Sequence, residues 1–294
     1  MRKTVFIILL FSGLEAVKGR GKSDVIDGIT VENCGKSQLF PHGSGTNRII
    51  GGNPTNPGQY PWMVSLQLEA GESSYHICGA AILNENWIVT AAHCIDTVYV
   101  GRPETYFIYA GLHRLSTANA HTVRRYELSQ IILHEDYKDD DSYLNDIALL
   151  KTKQPIDIAR SNGYFNGICL PTDTKDPDGN AIVIGWGHTM TDGANSDVLL
   201  EVTVPLVPRD LCNSAYDEDP YDGFDAVTET MICAGSRGKD SCQNDSGGPL
   251  FQIVDGVATL IGIVSHGAGC GTMYYPGVYT KVASFVDWIS KATN

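Results

Sequence analysis

Short apolar runs separated by turn residues recur along the chain from about position 60 to its end. The runs are Trp62–Leu68, Ala80–Leu83, Trp87–Thr90, Ile147–Leu150, Ala181–Ile184, Leu199–Val204, Leu260–Val264 and Gly277–Val282. Runs of this length between turn residues are typical of β-strands, and many of them in one chain predict a β-sandwich or β-barrels. Only the end of the chain is predicted to be helical, because Ser284–Ala292 carries an apolar stripe at helical spacing.

The first twenty residues have the pattern of a secretory signal. Arg2 and Lys3 precede an apolar run, Val5–Leu14, and small residues follow at Ala16 and Gly19. We therefore predict a signal peptide at 1–19 and a secreted, extracellular protein. A buried N-terminal strand is the alternative interpretation. No other stretch approaches the roughly 20 apolar residues of a membrane-spanning helix, so no membrane anchor is expected.

A polar segment, 20–48, follows the signal and is rich in Gly, Asp and Ser. It contains one cysteine, Cys34, and we interpret it as a pro-segment. The strand pattern belongs to the remainder of the chain, 49–294.

Composition narrows the classes of partner. The chain has a net charge of −13, which argues against nucleic acid or an anionic membrane as a partner because both attract basic surfaces. Eight cysteines in a secreted chain indicate disulfides. They form no C-x-x-C pair, so a zinc site has little support. Their spacing alone leaves on the order of 100 pairings open.

Three local sequences have the residue types of nucleophilic catalysis. They are TAAHC at 90–94, NDIALL at 145–150 and NDSGGP at 244–249. A serine hydroxyl needs an adjacent base, which imidazole supplies, and a buried carboxylate can fix the imidazole tautomer. Any one of these residues alone is usually structural or solvated. The three flanked motifs in the order His, Asp, Ser indicate a catalytic triad.

These motifs resemble the trypsin/chymotrypsin family of serine peptidases, and the resemblance runs from Ile49 to about Asn294. It implies that His93 is the general base, Asp146 its orienting partner and Ser246 the nucleophile. It also implies an all-β fold: two six-stranded antiparallel Greek-key β-barrels with the active site between them, followed by a C-terminal α-helix.

The resemblance extends to activation. The sequence RIIGG at 48–52 is similar to the family's activation junction, so a trypsin-like protease is expected to cleave after Arg48. The freed amine of Ile49 would then pair with Asp245. The alternative is an ordinary arginine in a turn.

The resemblance also implies the disulfide pairing. Four pairs are expected: Cys78–Cys94, Cys212–Cys233, Cys242–Cys270 and Cys34–Cys169. The pair Cys34–Cys169 would tether the pro-segment to the catalytic chain.

Substrate preference is inferred from Asp240, six residues before the proposed nucleophile. The resemblance places it at the base of the primary pocket, where a buried carboxylate would select Arg or Lys. Gly267 and Gly277 match the glycines that keep such a pocket open, and Ser265 is assigned to substrate binding. The alternative for Asp240 is a solvated loop acid.

Two positions depart from the family pattern. Asn244 stands where the family has glycine, and its N–H is expected to form the oxyanion hole with that of Ser246. His266 follows Ser265 where a tryptophan is usual. The stretch Gly111–Glu127 lacks the paired carboxylates of the trypsin calcium loop, so no structural metal is expected.

The sequence therefore predicts the zymogen of a monomeric, secreted serine endopeptidase that forms an acyl-enzyme and cuts after Arg or Lys, without a cofactor. Its expected partners are peptide or protein substrates and an activating protease. The alternative is a peptidase-fold binding protein with impaired catalysis, for which Asn244 is the ground.

Overall fold

The computed structural model describes residues 29–40, 52–71, 73–138, 140, 142–188, 193–217, 227–236, 245–267 and 275–294. The strands within these ranges are β1 (Asn53–Pro54), β2 (Met63–Ala70), β3 (Ser73–Ile82), β4 (Trp87–Thr90), β5 (Tyr106–Ala110), β6 (Arg124–Leu133), β7 (Ala148–Thr152), β8 (Asn180–Gly185), β9 (Leu200–Val207), β10 (Met231–Ala234), β11 (Pro249–Val254), β12 (Val257–His266) and β13 (Gly277–Lys281). The α-helices are α1 (Arg209–Asp217) and α2 (Val286–Thr293).

The first barrel is a closed antiparallel sheet in the order β2-β3-β4-β7-β6-β5. It closes because β2 pairs on both sides: Val64 lies opposite Ala80 on β3 and opposite Ala110 on β5. Closure leaves no unpaired edge strand. Its interior is filled by fully buried side chains on one face of the sheet: Val64, Leu66, Ile82, Ile88, Ile108 and Leu150.

The second barrel has the order β9-β10-β13-β12-β11-β8 and is closed by pairing between β8 and β9. The short strand β1 adds to β9 outside the ring, with Asn53 opposite Glu201. A separate cluster of buried residues fills this barrel, including Val183, Val204, Leu250 and Tyr279. Two closed six-stranded antiparallel barrels and a C-terminal helix confirm the predicted fold class.

One of the two α-helices was predicted from the sequence and the other was not. Helix α2 is the predicted C-terminal helix, and a 3₁₀ turn at Val282–Ser284 precedes it. Helix α1 corrects the prediction that helix occurs only at the end of the chain. It is too short to be stable alone, and the disulfide from Cys212 to Cys233 on β10 holds it in place.

Residues 29–40, from the predicted pro-segment, pack against the folded barrels. Ile29 is fully buried, and Asn84 Nδ2 donates a hydrogen bond to its carbonyl over 2.9 Å. Cys34 forms a disulfide with Cys169. Neither α-helix in the described ranges has the length and apolar character that crossing a membrane requires.

Candidate active site

His93 lies in a 3₁₀ turn, Ala92–Cys94, just after strand β4. The disulfide between Cys94 and Cys78 ties this turn to strand β3. The imidazole is therefore held at one end of the first barrel by a covalent link and by the strand that leads into it.

Asp146 is fully buried two residues before strand β7 and binds His93 through both carboxylate oxygens. Oδ1 accepts the backbone N–H of His93 over 2.9 Å, and Oδ2 lies 2.7 Å from His93 Nδ1. Since an ionised carboxylate can only accept hydrogen bonds, Nδ1 carries the proton and Nε2 is the basic nitrogen of neutral His93.

The second barrel supplies two more contacts to Asp146. Ser265 Oγ, at the end of β12, donates to Oδ2 over 2.6 Å, and Thr280 Oγ1, on β13, donates to the Asp146 carbonyl over 2.7 Å. Asp146 thus lies where the two barrels meet.

The electrostatics of Asp146 favour its ionised form. Burial acts to raise the pKa of this carboxyl group, but the charge of His93 and the hydrogen bonds from His93 and Ser265 outweigh it and hold the pKa of Asp146 below its usual value. The carboxylate is therefore ionised at neutral pH and available to stabilise a protonated His93.

Ser246 lies in a tight turn that leads into strand β11 of the second barrel. The turn is held by a hydrogen bond from Gly248 N to Asp245 O over 2.9 Å, and Gly247 N donates to Val264 O over 2.8 Å. Across the barrel boundary, Gly79 N on β3 donates to Ser246 O over 2.8 Å. The serine turn is therefore joined directly to the first barrel.

Gly247 permits this close approach. Its φ is +74°, and a Cβ atom there would lie 2.1 Å from Thr90 Oγ1, 2.6 Å from the Gly79 carbonyl oxygen and 3.0 Å from Cys94 Sγ. The same sulfur lies 4.0 Å from His93 Nε2. The structure thus brings His93, Asp146 and the Ser246 turn together at the boundary between the barrels.

Asp245 points away from this contact, into the loop after β8. Its Oδ1 accepts the N–H of Gly187 over 2.8 Å. Cβ atoms at Gly185 and Gly187 would lie 2.0 and 2.5 Å from Asp245 side-chain atoms. The two glycines therefore make room for the carboxylate that is predicted to receive the Ile49 amine.

Tyr143 was not identified from the sequence, although its ring contacts the site. It stacks on His266 with ring centroids 4.8 Å apart and meets the His93 ring edge-on at 5.8 Å. An aromatic residue three positions before Asp146 was the available signal. Burial lowers the pKa of His266 to about 4, with Asp146 acting to raise it and His93 to lower it.

Several predicted residues lie outside the described ranges: Arg48, Ile49, Asp240, Cys242, Asn244 and Cys270. Of the predicted pocket residues within those ranges, Ser265 is buried, Gly267 directly follows β12 and Gly277 begins β13. Three disulfides form in the described residues, and all three are pairs that the resemblance implied.

The side chains of Cys78, His93 and Cys94 could be taken for a metal-binding group, since their ligand atoms lie within 4.8 Å of one another. Both cysteines are used in one disulfide, and a metal would need them as thiolates. This group therefore does not fit a metal.

Comparison with known proteins identifies the class. The trypsin family profile matches residues 49–289, and the chain belongs to the trypsin family of serine peptidases, as the sequence motifs indicated. It is 49% identical over 246 residues to the "Venom peptide isomerase heavy chain" of Agelenopsis aperta, which covers 83% of this chain and 99% of that protein.

Two further relatives match over a similar span. U21-ctenitoxin-Pn1a of Phoneutria nigriventer is 48% identical over 245 residues, with 83% of this chain and 99% of the relative covered. Trypsin-1 of Astacus astacus is 42% identical over 243 residues, with 82% and 98% covered.

Proposed function

We propose that the protein is a secreted serine endopeptidase that cleaves peptide bonds after Arg or Lys. The observation that carries this proposal is the His93–Asp146 pair, in which a buried carboxylate accepts both the backbone N–H and Nδ1–H of the histidine. That pairing leaves Nε2 as the base, and Ser246 is held at the same barrel boundary through Gly79.

The proposed reaction begins when His93 Nε2 removes the Ser246 hydroxyl proton as Oγ bonds to the substrate carbonyl carbon. The carbonyl oxygen becomes an oxyanion, which the N–H groups of Asn244 and Ser246 would stabilise. Protonated His93 then gives the proton to the leaving amine and the C–N bond breaks. Water repeats these steps on the acyl-enzyme and releases the acid.

The triad is tested by replacing the nucleophile. Ser246→Ala should remove labelling by a serine-directed phosphonate and reduce turnover to the residual rate of a broken triad. An exposed serine, Ser214→Ala, is the matched control and should label normally. Wild type and both variants are first cleaved after Arg48. Labelling that persists in Ser246→Ala would exclude Ser246 as nucleophile, and an unlabelled wild-type protein after this cleavage would favour the impaired binding protein.

We propose that Asp240 selects the basic residue before the cleaved bond, with Gly267 and Gly277 in the pocket walls. Asp240→Ser should reduce kcat/KM on Arg and Lys substrates by orders of magnitude, because the substrate cation would lose its buried partner. Activity on a substrate with Phe at that position should change much less. A wild-type enzyme that prefers Phe or Leu contradicts the assignment.

We also propose that cleavage after Arg48 activates a zymogen. The new amine of Ile49 would pair with Asp245, and breaking one side of such a buried ion pair typically costs ~3–5 kcal/mol. The 246 residues matched by a relative named as a heavy chain equal the length of the predicted peptidase domain, 49–294. N-terminal sequencing of the active enzyme should read Ile-Ile-Gly-Gly, and Arg48→Gln should stay inactive.

A second candidate is peptide isomerisation, which is favoured by the 49% identity to a protein named as a peptide isomerase. Removal of a proton from carbon by a base such as His93, followed by return of a proton to the opposite face of that carbon, would isomerise a peptide. Mass spectrometry of a treated peptide separates the two reactions. Hydrolysis adds one water and gives two fragments, whereas isomerisation leaves the mass unchanged and changes the chromatographic retention.

A further inference from the structure

A chain of hydrogen bonds links His266 to the His93–Asp146 pair. Ser265 Oγ donates to Asp146 Oδ2 over 2.6 Å, and the same oxygen lies 3.1 Å from His266 Nδ1. A serine hydroxyl has one proton to donate. Because that proton goes to a carboxylate, the bond with His266 must run the other way, with Nδ1–H as the donor and Ser265 Oγ as the acceptor.

The direction of this bond defines the tautomer of His266. Its Nδ1 is protonated, and in the neutral ring Nε2 is then the unprotonated nitrogen. Since burial lowers the pKa of His266 to about 4, the ring is neutral at neutral pH. Protonation at lower pH would not remove the Nδ1–H, so this donor persists through the titration.

The ring of His266 is also held in place by stacking. Tyr143 lies nearly parallel to it, with 15° between the ring planes and 4.8 Å between the centroids. In the described residues, the titratable groups that face His266 are Asp146, His93 and Tyr143. The stack fixes the plane of the imidazole, and in this plane Nδ1 lies within hydrogen-bond distance of Ser265 Oγ.

We propose that His266 is a positioning residue of the active site, which acts through Ser265 to direct a hydrogen bond onto Asp146. Donation to Ser265 Oγ points the hydroxyl proton at Asp146 and polarises it, because linked hydrogen bonds strengthen one another. Asp146 then shares its negative charge between Ser265 and His93. The proposal rests on the proteolytic function proposed above.

Two variants distinguish the effect of the His266 N–H donor from the effect of its ring. His266→Phe keeps a ring that can stack on Tyr143 but has no donor, whereas His266→Asn can place an amide N–H near the Nδ1 position. Without the donor, the Ser265 hydroxyl donates to Asp146 for a smaller fraction of the time. More of the negative charge of the Asp146 carboxylate is then available to His93. Protonated His93 is then more stable, and it is inactive as a base.

The measurement is the pH profile of kcat/KM for the activated enzyme. In His266→Phe we expect the midpoint of the acid limb to rise by about half a pH unit, equivalent to part of one hydrogen bond. His266→Asn should keep the wild-type midpoint. A wild-type profile in His266→Phe, or equal shifts in both variants, overturns the proposal.

A second measurement does not depend on proteolysis. In ¹⁵N-histidine-labelled Ser246→Ala protein, NMR at neutral pH should show His266 protonated at Nδ1, with the resonance assigned by its loss in His266→Asn. An Nε2-protonated His266 overturns the proposal. Because this measurement needs no turnover, the result is informative even if the protein proves not to be a protease.

Discussion

At the scale of single residues, Asp146 is the group on which most of the site depends. Its carboxylate accepts hydrogen bonds from His93 N, His93 Nδ1 and Ser265 Oγ. Asp146→Asn keeps the shape but introduces an N–H group that cannot accept, so one of these donors loses its partner or His93 adopts the other tautomer.

We expect Asp146→Asn to reduce kcat by about 10⁴, the effect that this replacement has in a Ser-His-Asp triad, with a much smaller change in KM. Asp157→Asn, at an exposed ion pair with Arg160, is the matched control and should have wild-type kinetics. Steady-state kinetics on a small chromogenic substrate are sufficient. A kcat within tenfold of wild type would mean that Asp146 does not orient the base.

The lowered pKa of Asp146 predicts that the stability of the fold depends on pH. The Asp146 pKa is lower in the folded protein than in the unfolded chain, in which an aspartate has its unperturbed pKa of about 3.9. Its ionisation therefore stabilises the fold above that pH, and the stabilisation is lost as pH falls through the lower, folded pKa.

Urea unfolding of wild type and Asp146→Asn at a series of pH values measures this contribution. The difference between their free energies of unfolding should be largest at near-neutral pH and should shrink as pH falls below about 4. Both proteins should carry the Ser246→Ala change to prevent self-digestion. A difference that grows towards acid pH would contradict the lowered pKa.

The sequence predicts His93, Asp146 and Ser246 as the triad because each has a local flanking pattern, and the structure brings His93, Asp146 and the Ser246 turn together. It did not identify Tyr143, whose contacts arise from a turn with φ +46° that brings its ring between His93 and His266. It noted His266 as unusual but could not predict the bond to Ser265. Such contacts depend on tertiary geometry, which no local pattern encodes.

At the scale of elements, strands that are buried on both faces were predicted in some cases, such as β4, and missed in others, such as β10. Strand β4 is buried throughout and matches its predicted bounds. Strand β6, by contrast, was missed because most of its side chains are exposed or half-buried and polar residues interrupt it. Helix α1 was missed because its sequence, RDLCNSAYD, is mostly polar and carries no extended apolar stripe at helical spacing.

The segment 29–40 is held to the barrels by hydrogen bonds as well as by a disulfide. Asn166 Nδ2 donates to the carbonyls of Asn33 over 2.9 Å and Lys36 over 2.8 Å. Gly35 N donates to Gly167 O over 2.7 Å, and Gly35 O accepts from Ala258 N over 2.8 Å. These bonds act alongside the Cys34–Cys169 disulfide.

We expect Asn166→Ala to lower the free energy of unfolding by about 1–3 kcal/mol, because two carbonyls of the segment lose their donor. Hydrogen exchange in 33–36 should also become faster. Asn294→Ala, at the exposed C-terminus, is the control and should have little effect on either measurement. Unchanged exchange in 33–36 would mean that the disulfide alone holds the segment.

At the scale of the whole molecule, the two barrels meet through backbone atoms and a few aromatic rings. Gly79 on β3 donates to Ser246 O, and a Cβ at Gly79 would lie 2.8 Å from Gly248 Cα. Trp62 of the first barrel meets Phe251 of the second edge-on, with centroids 5.4 Å apart. The family resemblance predicted two barrels with a site between them, but not which atoms join them.

This boundary predicts that Gly247→Ala impairs both stability and activity. The new Cβ would meet Thr90 Oγ1 and the Gly79 carbonyl oxygen, so the Ser246 turn must move away from the first barrel and from His93. Overpacking of this kind costs about 1–3 kcal/mol, in addition to the strain of a left-handed φ in a residue with a side chain. Phosphonate labelling of Ser246 should slow by more than tenfold.

Gly71→Ala separates the steric effect from the backbone strain. Gly71 has a similar φ of +66°, but a Cβ there would meet no atom within 4 Å. Gly71→Ala should therefore lose only the part of the stability that strain accounts for, about 1–2 kcal/mol, and should label at the wild-type rate. Urea unfolding and labelling rates of the two variants test this. If they lose equal stability and label equally fast, the barrel contact at Gly247 does not position the nucleophile.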